Sequence, residues 1–117
     1  DRYGIRSFVF TERRPLSRGR LEAVLREGVP GLLRAKGFFW AVEHPDEMGF
    51  LSVAGGTVRF EVLNYWWAAI LEAGKARPEQ RPAGVVAAWQ EPGGDRRQEL
   101  VFIGAGLEEA RLRKALE

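Results

Sequence analysis

Met48-Gly-Phe-Leu-Ser-Val-Ala54, then Gly55-Gly56, then Thr57-Val-Arg-Phe-Glu-Val-Leu63 is the stretch that decides the fold. Two β-prone runs separated by two glycines predict a hairpin, because a two-residue turn of the right hand needs positive φ at its centre. In the second arm Val58, Phe60 and Val62 alternate with Thr57, Arg59 and Glu61. One face of that arm is therefore expected in a core and the other in water.

Upstream, Gly37 to Val42 with Phe38, Phe39 and Trp40 predicts a strand, ended by a polar loop at Glu43, His44, Pro45 and Asp46. Before it, Ser17 is suited to cap a helix in which Leu21, Val24 and Leu25 recur at helical spacing, and Gly28 with Pro30 stops it. Ile5 to Thr11, centred on Phe8, Val9 and Phe10, predicts a strand interior to a sheet. Downstream, Tyr65, Trp66 and Trp67 lead into Ala68 to Ala73, which fits a short helix or an irregular strand equally well. Gly74 to Gly84, polar and with proline, is expected to be a mobile loop. After a turn at Pro92, Gly93 and Gly94, the apolar run Leu100 to Ile103 predicts a covered strand, and a last helix starts near Leu107 with Leu112, Ala115 and Leu116 on one face. The order predicts an α+β fold: a two-layer sandwich, with a mainly antiparallel sheet of four to five strands and two helices on one face.

The 117 residues are enough for one domain with its own core, given a hydrophobic fraction of 45%. There is no cysteine, so disulfides, thiolate metal sites and cysteine nucleophiles are excluded, in keeping with a reducing, cytoplasmic setting. No apolar run approaches a membrane span, so a soluble protein without membrane contact is expected. Asp1 stands where an initiating Met or a leader would, and reads as an internal boundary of a longer polypeptide. The net charge of +2 comes from 18 basic and 16 acidic residues interspersed along the chain, the pattern of a solvated surface.

Three stretches suggest chemistry and each falls short. Gly104-Ala105-Gly106 lies where a dinucleotide-binding turn would, but Glu109 takes the third glycine position and Glu108 adjoins it. Arg34 to Trp40 opens like the base-stacking strand of an RNA-recognition domain, but Phe39 stands where a small residue belongs. Nucleic-acid binding through Lys36 to Trp40 and nearby arginines is the alternative function to set against a contact module. Glu43, His44, Asp46 and Glu47 offer nitrogen and oxygen ligands, but adjacent loop residues seldom converge and His44 is the only histidine. No P-loop pattern and no nucleophile elbow occur. Catalytic, cofactor-binding and metal residues are accordingly assigned to none, and the chain is read as non-catalytic. Left over are Trp40, Tyr65, Trp66 and Trp67, and the cluster Asp95, Arg96, Arg97 before a strand. Adjacent indoles on a strand cannot enter one core, so these residues form the candidate interaction surface.

Tyr3-Gly-Ile-Arg-Ser-Phe-Val-Phe10 with Arg13-Arg14-Pro15, Arg34-x-Lys-Gly-Phe-Phe-Trp40, Tyr65-Trp-Trp-Ala68 and Gly94-Asp-Arg-Arg-Gln-Glu-Leu-Val-Phe-Ile-Gly104 together resemble the C-terminal domain of CobW-type GTPases. The blocks stand in that family's order across nearly the whole chain. The resemblance implies a parent whose N-terminal domain hydrolyses GTP with Mg and carries a cysteine-containing site for zinc or cobalt. It implies a metallochaperone of zinc homeostasis, cobalamin synthesis or metalloenzyme activation, as for nitrile hydratase. Neither the P-loop nor the cysteines map onto this chain, so the implied role is docking to the GTPase domain, recognition of a client metalloprotein, or both. A homo-oligomer is left open.

Overall fold

A computed structural model describes residues 4–117. The elements are β1 (Ile5–Glu12), α1 (Arg18–Glu27), β2 (Leu32–Ala41), β3 (His44–Ala54), β4 (Thr57–Tyr65), α2 (Trp67–Glu72), a 3-10 turn (Pro78–Gln80), α3 (Ala83–Ala87), β5 (Gln98–Ala105) and α4 (Glu109–Leu116). The strands form one sheet in the order β1-β5-β2-β3-β4, and every neighbouring pair is antiparallel. The α+β class, the five-stranded sheet and the Gly55-Gly56 hairpin follow the sequence-based expectation. Gly55 and Gly56 take φ of 56° and 80°, the left-handed conformation such a turn requires.

The core lies between the sheet and the pair α1 and α4. Phe10, Ala35, Phe39, Leu51, Leu100 and Phe102 project from one face of the sheet and meet Leu21 and Leu25 of α1 and Leu112 and Leu116 of α4. Each helix contributes residues four apart, the spacing that stacks side chains on one face. The start of α1 is fixed twice. Ser17 accepts from the N–H of Arg20 at 3.2 Å, and the carboxylate of Glu43, distant in sequence, accepts from the N–H groups of Arg18 at 2.8 Å and Gly19 at 2.9 Å.

Four expectations change. β1 is an edge strand, not an interior one: it pairs with β5 alone, and its apolar centre divides, Phe10 being buried and Val9 44% exposed. The polar loop at Glu43–Asp46 shrinks to a two-residue turn, Val42-Glu43, and His44 already pairs with Ala41 as the first residue of β3. The strand at Leu100–Ile103 is covered on one face only, since Val101 is 36% exposed. Ala68–Ala73 resolves as the helix α2, which with α3 raises the number of helices beyond the two predicted, and Trp66, at the entrance of α2, packs edge-on against Phe38, on the sheet face opposite α1 and α4. The 74–84 segment contains the 3-10 turn and the start of α3.

Candidate interaction surface

Asp95, Arg96, Arg97 and Gln98 enter β5 in succession, and each side chain engages a different part of the fold. The Asp95 carboxylate accepts from the N–H groups of Trp67 and Ala68, both at 2.9 Å, and so caps α2 from a distant point in the sequence. Arg96 donates through both terminal nitrogens to Glu72, at 3.1 and 2.7 Å, a bidentate pair at the other end of α2. That hydrogen-bonded guanidinium holds the Glu72 carboxyl below its ordinary range, and the same contact raises the pKa of Arg96. Arg97 lies over the Phe38 ring at 4.9 Å and donates to Glu99 at 3.0 Å. Gln98, fully buried, accepts from the N–H of Trp40 and donates to the carbonyls of Trp40 and Arg14. Arg13 completes the set, reaching the carbonyls of Gly94 at 3.1 Å and Ala88 at 2.8 Å.

The sequence-predicted surface therefore splits. Trp66 is wholly buried, Asp95 is 2% exposed and Arg96 8%, and the Asp95 and Arg96 side chains are engaged inside the domain. That removes these three from the domain's outside, because the sequence conceals that Asp95 and Arg96 face α2. Tyr65 is 57% exposed, and Trp40, Trp67 and Arg97 are half-buried. The Trp40 indole N–H donates to the Pro45 carbonyl at 3.0 Å.

A second surface escaped the sequence reading. On the sheet face opposite the core, Val9 of β1 stands opposite Val101 of β5, and Val101 opposite Lys36 of β2. Ile103 sits in line with Ser7 and Arg34, and Ile5 at the rim is 42% exposed. Among the described residues Arg34 and Lys36 have no ion-pair partner: Glu99 is engaged by Arg97, and Glu61 lies 3.9 Å from Arg59. The signal was present as apolar residues at both parities of β1 and β5, but without the pairing nothing told which parity faced a helix.

The other candidates fare differently. Gly104 approaches the Gly31 carbonyl so closely that a Cβ would collide with it, and the N–H groups of Ala105 and Gly106 donate to the carbonyls of Gly31 and Gly4. The Ala105 and Gly106 amides are thereby occupied and do not cradle a phosphate. Glu43 is engaged at α1, and Asp46 leans towards Arg96 at 3.9 Å, leaving exposed His44 3.9 Å from Glu47. No three His, Cys, Asp or Glu among the described residues gather as metal ligands. Phe39 is buried in the core and Phe38 is taken by Trp66 and Arg97, so the Lys36–Trp40 strand offers no free pair of rings for stacking bases. The described residues fit neither GTP nor zinc. Among the described residues no helix is long and apolar enough to cross a membrane.

Residues 5–117 match the family described as "Cobalamin synthesis protein cobW C-terminal domain". This chain belongs to that family. The CobW C-terminal domain seen here is 42% identical over 106 residues to the zinc-regulated GTPase metalloprotein activator 1 of Dictyostelium discoideum, covering 87% of this chain and 22% of that protein. It is 29% identical over 108 residues to a zinc chaperone of Mycobacterium tuberculosis, covering 92% of this chain and 27% of the relative. The crystal structure of the Zn(II)-bound YjiA GTPase from E. coli superposes with a TM-score of 0.61 at 20% identity, over 96% of this chain and 28% of that one. That likeness confirms the fold. The CobW C-terminal domain thus spans about a quarter of the length of these relatives.

Proposed function

We propose that this chain is the non-catalytic docking module of a GTP-dependent metallochaperone, and that it seats the GTPase portion of its parent polypeptide on the open face of its sheet. The observation that carries this reading is the pairing of exposed Val9 and Val101 and half-buried Ile103 with Arg34 and Lys36, cations that have no ion-pair partner among the described residues. Apolar area supplies affinity and the two cations select an acidic counter-surface. GTP, Mg and the transported metal belong to the rest of the parent, and the names of two relatives support zinc as that metal. Tyr65, Trp67, Trp40 and Arg97 remain as the contact surface for a client metalloprotein, and the parent works in the cytoplasm. Roles in zinc homeostasis, in cobalamin synthesis or in activation of a metalloenzyme all employ the domain in this one way.

Calorimetric titration of the 117-residue chain with the GTPase portion tests the reading. Saturable binding is expected, weakened about tenfold or more by Val101→Asp and by Lys36→Glu. No binding, or binding indifferent to both substitutions, overturns it.

A further inference from the structure

We propose that two copies of this chain join edge to edge through β4, antiparallel and centred on Phe60, into one continuous sheet. β4 is a terminal strand of nine residues, and Val62, Leu63 and Tyr65 on it are 60%, 52% and 57% exposed. An exposed edge strand is a template for another strand, and β4 carries the charges of Arg59 and Glu61 and the irregularity at Leu63, so a partner strand has to match the charges and stop short of the irregularity. At the opposite edge, Arg113 of α4 donates to the Val9 carbonyl at 2.9 Å. Among the described residues nothing comparable reaches the main chain of 58–62.

Main-chain geometry sets which registers are available. The two-residue turn makes Ala54 and Thr57 a hydrogen-bonded pair, so 57, 59 and 61 turn their N–H and C=O groups to β3, and 58, 60 and 62 turn theirs outward. A second copy pairs only if its outward residues meet these. Centring the pair on Arg59 sets arginine against arginine, and centring it on Glu61 sets glutamate against glutamate. Centring on Phe60 sets Arg59 of each copy against Glu61 of the other and Val58 against Val62, so unlike charges meet on both sides of the two-fold axis. The β4 irregularity, where Met48 pairs with Asn64 and Gly49 with Val62, leaves Leu63 as an extra residue and limits the flat edge to 57–62. The five residues this register uses lie within that flat part. Phe60 is already held in place, its ring 5.9 Å from that of Phe39 and 4.9 Å beneath the Arg18 guanidinium. This contact uses the sheet's edge, so it is compatible with a partner on the open face.

Sedimentation equilibrium of the 117-residue chain over a range of concentrations tests the proposal, with Arg59→Glu, Glu61→Arg and the doubly exchanged variant beside the parent sequence. Both side chains are exposed, 69% and 54%, so the substitutions leave the core untouched. A dimer is expected whose dissociation constant rises about tenfold or more in each single variant and returns to within about threefold of the parent in the exchange. A monomer at every concentration overturns the proposal. A dimer indifferent to the single changes shows that another surface is used, and a dimer weakened by both and not restored by the exchange excludes this register; either result overturns it too.

Discussion

The side-chain carboxamide of Gln98 holds both main-chain polar groups of Trp40, accepting from its N–H at 2.8 Å and donating to its C=O at 2.9 Å. β2 departs from regular register between Phe39 and Ala41, which takes Trp40 out of its ladder with β3. Gln98 substitutes for the missing strand partner, and its second N–H serves the Arg14 carbonyl at 2.8 Å, so the buried amide leaves no polar atom unpaired.

Gln98→Leu keeps the volume and deletes all three bonds, stranding the N–H of Trp40 and the carbonyl of Arg14, while the Trp40 carbonyl keeps the Leu16 N–H at 3.0 Å. Unpaired buried groups cost about 1–3 kcal/mol each, and a total of about 2–4 kcal/mol is expected after local relaxation. Urea unfolding followed by far-UV dichroism measures it. A loss under about 0.5 kcal/mol would show that Gln98 is not the staple.

Asp95→Ala removes the two acceptors at the start of α2. A lost cap costs about 1–2 kcal/mol, and here it also frees the helix that follows wholly buried Trp66. Tryptophan emission should shift to the red well before global unfolding. Unchanged emission across the denaturant range would mean that α2 is held by something else.

Glu72→Ala leaves Arg96 with the Gly93 carbonyl at 3.4 Å and the Asp46 carboxylate at 3.9 Å. The guanidinium is 9% exposed but the Glu72 side chain is 62% exposed, so solvent screens the pair and places the expected loss near 1–2 kcal/mol, below that of a fully buried ion pair. A double-mutant cycle with Arg96→Met isolates the coupling. Strict additivity would contradict the contact.

Acid should act through Glu43. Burial alone would raise its pKa, but donation from the N–H groups of Gly19 and Arg18 and from the Ser17 hydroxyl outweighs burial and lowers it from 4.5 to about 2. A group whose folded pKa is depressed stabilises the fold above its unfolded value and loses that contribution as pH falls towards the folded one. The melting temperature of Glu43→Gln should therefore lie below that of the parent sequence at pH 7, and the gap should close between pH 4.5 and pH 2. Glu12, brought to about 2 chiefly by its hydrogen bond with the Arg14 side chain, adds to the same acid limb. A gap that is constant with pH would mean that the Glu43 charge does not contribute to the α1 start.

Local signals in the chain carried most of the fold. Gly55-Gly56 between alternating arms, Ser17 before Leu21 and Leu25, and the late Leu112 and Leu116 each specify an element through neighbours a few residues away. What stayed hidden depends on pairs far apart in sequence. Phe8, Val9 and Phe10 look like an interior strand until β5 is known to cover one side of β1 only. Asp95 and Arg96 read as a charged rim because Trp67 and Glu72, their partners, stand more than twenty residues earlier. The open face was hidden for the same reason: Val9, Lys36 and Val101 become neighbours only through the order β1-β5-β2.

The proposed docking would set the GTPase portion of the parent against the open side of the sheet. Amide and methyl NMR spectra of the 117-residue chain, recorded as that portion is added, report it residue by residue. Shift changes should gather at Val9, Lys36, Val101 and Ile103 and spare Leu21, Leu25 and Leu112 beneath α1 and α4. Changes centred on the helical side, or none at saturating concentration, would contradict it.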